Sequence, residues 1–168
     1  SKTLEFDLRK GVTFHNGEKF DADDVVYTLT YISNPENGAK PARNVNWWDS
    51  AEKLGDYKVR LNLTKEFPAA LEFLSGPIVM YPNEYYAEVG PEGMAMKPVG
   101  TGPYAVTSVE PGKRYKFKKN NNYHASSPKG QANIGNIVIR TIAESNTQLA
   151  ELFSGGVDWI WKVKPDQA

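Results

Sequence analysis

The chain has 168 residues, balances 20 lysines and arginines against 20 aspartates and glutamates, and contains no cysteine. That length suits about one domain with a real core. Zero net charge gives no attraction to nucleic acid or an anionic membrane, the missing cysteine excludes disulfides and thiolate metal sites, and no apolar run approaches the ~20 residues of a membrane span.

In chain order, residues 4–8 (LEFDL) alternate apolar and polar and read as a strand, so the start does not read as a signal peptide. Asn16-Gly17 marks a turn. Asp21, with Asp24 three positions on, reads as the N-cap of a helix that carries Val25, Val26, Leu29 and Ile32 and ends near Ser33. Residues 34–50, rich in Asn, Pro and Gly, read as one long loop. Alternation over 57–64 predicts a strand with Tyr57, Val59, Leu61 and Leu63 facing a core. Pro68 opens a short helix with Leu71 and Leu74 inward. The apolar run Ile78–Tyr81, Pro82 and a second short helix follow.

Glycine and proline cluster at 90–103, which predicts a subdomain boundary near Lys97, dividing the chain into 1–97 and 98–168. Beyond it, residues 104–109 and 114–119 form a hairpin whose turn, Glu110-Pro111-Gly112-Lys113, suits type II geometry. Residues 136–142 read as a strand. Ser145 is expected to cap a helix carrying Leu149, Leu152 and Phe153, which Gly155 and Gly156 stop. Val157–Trp161 reads as a last strand. The chain opens inside a strand and closes at Asp166-Gln167-Ala168 without a terminating signal, so it reads as a piece of a longer protein.

Few residues point to chemistry. Gly100-Thr101-Gly102 lacks the lysine and helix of a phosphate loop and reads as a tight turn between subdomains. His15 and His124 have no carboxylate or second histidine at ligand spacing; His15 reads as a satisfied structural residue and His124 as a solvated one. Asp21, Asp23 and Asp24 run into Val25-Val26 rather than further oxygen ligands, so they read as a helix start and not a calcium loop. Lys113, Arg114, Lys116, Lys118 and Lys119 surround Tyr115 and Phe117, but on a neutral chain this reads as a strand with one wet face and not a nucleic-acid surface. Ser75, before Gly76, lacks the flanking pattern of a nucleophile elbow. No enzyme activity, metal or cofactor is expected.

Four tryptophans come in two pairs, Trp47-Trp48 and Trp159/Trp161. An adjacent pair cannot put both rings into one core by strand alternation, so at least one of Trp47 and Trp48 is expected near solvent or in a cleft. Either pair could pack in a core or wall a ligand site.

SKTLEFDLRKGVTFHNGEKFDADDVVYTL, DYKVRLNLTKEFPAALEFLS, YPNEYYAEVGPEGMAMKPVGTGPY, TSVEPGKRYKFKKNNNYH and IVIRTIAESNTQLAELFSGGVDWIW follow one another in order. In that order they resemble the family 5 extracellular solute-binding proteins, the dipeptide-, oligopeptide- and nickel-binding receptors of ATP-driven importers. The resemblance implies a mixed α/β (α+β) chain of periplasmic binding protein-like class II fold. It implies a fragment of the first lobe: residues 1–97 as most of its smaller subdomain, and 98–168 as part of the larger one leading to the hinge, with the second lobe absent.

In family members the loop after the first helix and the segment before YP reach the cleft. Here these are Asn44–Trp48 and Gly76–Tyr81, so Asn46, Trp47, Trp48, Ile78, Val79 and Tyr81 are the candidate ligand-binding residues. Nickel-chelate binders of the family carry an arginine in the second segment; this chain has Gly76-Pro77-Ile78-Val79-Met80 there, which argues against an anionic chelate. The implied role is capture of a small solute, an oligopeptide or dipeptide first and an oligosaccharide second, in the periplasm or outside the cell, with or without a lipid anchor. Its implied partners are the permease and ATPase subunits of an importer. A ligand-sensing domain of a transcription regulator is the alternative from another class. Cut sheet edges and the Trp159/Trp161 pair predict that the fragment self-associates.

Overall fold

A capping box starts the first helix, as the Asp21/Asp24 spacing predicts. Asp21 accepts from the Asp23 amide at 2.9 Å while the Asp24 carboxylate accepts from the Asp21 amide at 2.9 Å. The computed structural model describes residues 2–39, 42–76, 78–161 and 163. Strand β1 (Thr3–Asp7) is followed by α1 (Ala22–Ser33), whose Ala22, Val25, Leu29 and Ile32 stripe is buried.

The long loop predicted over 34–50 is instead broken into short elements. Asn34 caps a 3-10 turn (Pro35–Asn37), then come α2 (Ala42–Val45) and β2 (Trp48–Gly55). The strand escaped the sequence pattern because WDSAEKLG has no period-two apolar face. It is an outer strand, with register shifts at Trp48/Ser50 and Lys53/Gly55. Strand β3 (Lys58–Leu63) is the centre of a three-stranded antiparallel sheet, order β1-β3-β2, with Val59, Leu61 and Leu63 under α1 as expected.

In α3 (Ala70–Ser75) the inward stripe is Ala70, Phe73 and Leu74, whereas Leu71 is exposed. That stripe is the i, i+3, i+4 set, so Leu71 falls outside it. Helix α4 (Asn83–Met96) is longer than the short helix predicted. Gly90 at φ 66 breaks it, and Pro91 starts the second piece, where its missing N–H costs nothing.

Strands β4 (Tyr104–Glu110), β5 (Arg114–Lys119) and β6 (Asn136–Arg140) form a second antiparallel sheet in sequence order. The β4–β5 turn closes with Lys113 N–H donating to Glu110 O at 3.0 Å and Gly112 at φ 70, as type II demands. In α5 (Ser145–Phe153) Ser145 is the first helical residue rather than the cap. Glu144 precedes it without a side-chain cap bond, and Gly155 at φ 76 follows the helix end. The strand predicted at 157–161 does not form, because no ladder partner lies beside it among the described residues. Trp159 and Trp161 stand 70% and 65% exposed, packed edge to face on each other at 5.2 Å.

Candidate functional site

Two buried polar groups on α1 hold the segment 78–82 in place. Asp24, 2% exposed, accepts at 2.9 Å from the Asn83 amide that starts α4, besides closing its own capping box. Burial pushes its carboxyl above the usual aspartate range, and the two donated amides pull against that. Fully buried Thr28 accepts from the Tyr81 amide at 2.9 Å. Ile78 is thereby seated in the core, while Val79 is left 56% exposed and Tyr81 half-buried. The Tyr81 ring packs on Tyr86 at 4.6 Å, and Tyr86 on Tyr31 at 5.1 Å. Burial pushes the phenols of Tyr81 and Tyr86 up.

From the other side comes the Gly100-Thr101-Gly102 turn, tied down by His15. The ring Nε2 donates to Gly102 O at 2.9 Å and Nδ1 accepts from Gly100 N–H at 3.3 Å, while the His15 amide donates to Gly100 O at 2.8 Å. An amide can only donate and a carbonyl only accept, so these partners select the neutral ring with its proton on Nε2. His15 is thus the satisfied structural residue that was expected. His124, expected to be solvated, is half-buried and accepts from Arg9 at 3.4 Å; burial first, and Arg9 second, hold its pKa down.

Between these pieces lies an open hollow of about 330 Å³. Val79, Met80, Tyr81 and Met94 line one side; Pro98, Val99, Gly100 and Val106 the other, with His15. Among the described residues no charged side chain borders it, and both His15 ring nitrogens are already engaged. Such a wall suits an apolar group with a few neutral donors at its rim. A smaller hollow near Asp21, Asp23, Asp24 and Glu84 is acidic, but Asp21 and Asp24 serve the helix caps and Asp23 pairs with Lys53. Among the described residues no cluster of His, Cys, Asp and Glu could hold a metal, and no helix is long and apolar enough to cross a membrane.

Of the six candidate residues, the hollow gathers Val79 and Tyr81. Trp47 and Trp48 are corrected. They are 1% and 4% exposed, set edge to face at 4.7 Å, with Trp47 also against Phe67 at 4.9 Å and its Nε1–H donating to Asn44 O at 2.9 Å. The alternation argument failed because Trp47 precedes β2 and is not in a strand, so both rings can turn under α1. Ile78 belongs to the same core, and Asn46 is exposed apart from the hollow. Met80 lies in the segment expected to reach the cleft but was not singled out, and Met94 and Val99 were missed as wall residues; only the meeting of α4 with the glycine turn reveals those two. Pro77 lies outside the described residues.

The family model for bacterial extracellular solute-binding proteins, family 5 (middle part), matches residues 1–168. Glutathione-binding protein GsiB of Pectobacterium atrosepticum is 29% identical over 167 residues, 99% of this chain and 32% of GsiB. The dipeptide-binding protein of Pseudomonas aeruginosa is 29% identical over 144 residues, 73% of this chain and 27% of that protein. The crystal structure of NikZ from Campylobacter jejuni in complex with Ni(L-His) superposes with a TM-score of 0.81 at 29% identity, over 92% of this chain and 31% of NikZ. The chain therefore spans about a third of the length of these proteins.

Proposed function

This chain belongs to the bacterial extracellular solute-binding proteins, family 5, and from that membership we propose that it is part of the solute-capture component of an ABC importer with a peptide as cargo. The observation that carries the cargo class is the uncharged wall of Val79, Met80, Tyr81 and Met94. An apolar peptide side chain fits it, and an anionic chelate finds no cation there. Similarity to glutathione- and dipeptide-binding proteins supports the same class. Sugar stacking would need open Trp47 and Trp48 faces, and both rings are buried. Residues 1–97 and 98–168 act as two subdomains of the first lobe, meeting at the His15 clamp, and Val79 and Tyr81 contact the cargo. The protein works outside the cytoplasmic membrane, free in the periplasm or lipid-anchored, and hands its cargo to a permease driven by an ATPase. Calorimetric titration of the full-length protein with dipeptides, tripeptides and nickel–histidine tests this: peptide binding is expected, and binding of nickel–histidine alone would overturn it.

The chain by itself also self-associates under this proposal. Exposed Phe153, Trp159 and Trp161, together with outer strands that meet no further strand among the described residues, support it. The contact is expected near 157–168, of which residues 162 and 164–168 lie outside the described residues.

A further inference from the structure

Segment 78–82 belongs to no helix or strand, so no ladder fixes its backbone. Two side chains one turn apart on α1 hold it instead. The fully buried Thr28 hydroxyl accepts from the Tyr81 N–H at 2.9 Å and reaches Tyr81 O at 3.5 Å. The Asp24 carboxylate, buried as well, accepts from the Asn83 N–H at 2.9 Å. Pro82 lies between these two donors and has no N–H to give.

That proline restricts the attachment to one register. Buried donors and acceptors are costly to leave unpaired, so each of the two acceptors needs an N–H opposite it. Sliding the segment by one residue in either direction would bring Pro82 opposite Thr28 or opposite Asp24, and one bond would be lost. A slide would also disturb the division of side chains. Ile78 is 6% exposed in the core, whereas its neighbour Val79 is 56% exposed on the hollow.

We propose that Thr28 is a positioning residue for cargo: through the Tyr81 backbone it sets the pose in which Val79 and Tyr81 meet an apolar side chain of the peptide, and so sets the preference for that side chain. The inference rests on the reading of the hollow as the cargo wall and adds a residue buried beneath it. Thr28 does not itself border the hollow, so its influence passes through the bond to Tyr81. The role belongs to the hydroxyl. Valine has nearly the same shape with no hydrogen-bonding group, whereas serine keeps the hydroxyl and loses only a methyl.

Calorimetric titration of the full-length protein tests it, with pairs of dipeptides and tripeptides that differ only by leucine in place of alanine. The readout is the ratio of the two affinities. A loss of global stability leaves that ratio unchanged, because both peptides bind the same folded molecules. The wild type is expected to prefer the leucine member about tenfold. Thr28→Val and Val79→Ala should each bring the ratio close to one, and Thr28→Ser should keep the wild-type preference. Thr28→Cys, whose thiol is a weak acceptor, takes the place of the valine variant if that one does not fold. A wild type without the preference, or a Val79→Ala variant that keeps it, would overturn the cargo wall and this inference with it. If Val79→Ala loses the preference while Thr28→Val keeps it, the wall stands and the inference falls. Thr28→Ser behaving like Thr28→Val would assign the effect to packing and overturn the role of the hydroxyl.

Discussion

The Nε2–H of His15 donates to the carbonyl of Gly102 at 2.9 Å, across 87 positions of sequence, and its other ring nitrogen accepts from Gly100. One imidazole thus joins the turn after β1 to the turn before β4, beside the apolar hollow.

His15→Ala leaves Gly100 N–H and Gly102 O without the ring, although Asn120 still donates to Gly102 O at 3.1 Å. Leaving part-buried groups unsatisfied costs about 1–3 kcal/mol. Chemical denaturation is expected to register that loss. His15→Gln, with one acceptor and one donor, should recover part of it. Equal stability of the alanine variant and the wild type would mean that the clamp contributes nothing.

Asp24→Ala removes the acceptor shared by the starts of two helices, and the expected cost is about 1–2 kcal/mol, the scale of a lost cap. The pH dependence has a definite sign. The native carboxyl titrates above its ordinary value, so between the two values the folded protein holds a proton that the unfolded chain has released. Its contribution to stability is full below the ordinary value and declines as pH rises through the native one. Asp24→Asn removes that slope. Urea midpoints of both proteins measured from the acid to the neutral range check this, and a wild-type advantage that grows with pH would contradict it.

Trp47→Ala is expected to destabilise the chain by about 3–5 kcal/mol, the range for truncating a large buried aromatic. The ring is 1% exposed and packs on Trp48 and Phe67. Thermal unfolding with near-ultraviolet dichroism reads it out. A stable variant with altered peptide affinity would instead return Trp47 to the binding site.

Val79→Asp is the converse case. The side chain is more than half exposed, so stability should change by less than about 0.5 kcal/mol. In the full-length protein the new charge borders the hollow, and affinity for peptides with an apolar side chain should fall about tenfold, or 1.4 kcal/mol. Unchanged affinity by calorimetry would remove Val79 from the proposed wall.

The chain alone is expected to bind peptide poorly. It covers about a third of the relatives' length, and a closing site buries most of its ligand. Losing contacts at 1.4 kcal/mol per tenfold soon erases micromolar affinity. Parallel titration of the chain and the full-length protein decides this, with equal affinities as the contrary result.

The features legible in the sequence are those whose energy comes from residues a few positions apart. The Asp21/Asp24 box, the Pro111-Gly112 turn and the period-two burial of Val59, Leu61 and Leu63 depend on backbone geometry and local side chains, so spacing alone determines them. Even there, local patterns overreached where a partner was needed: VDWIW alternates like a strand, but among the described residues no neighbouring strand meets it. What tertiary structure decided rests on distant contacts. Trp47 and Trp48 are buried because α1 and Phe67 cover them. Segment 78–81 is split into a core residue and wall residues because Thr28 and Asp24, more than fifty positions away, fix its backbone. His15 was readable as a satisfied residue because no ligand-spaced partner accompanies it, but the hollow it borders forms where residues 85 positions apart, His15 and Gly100, meet.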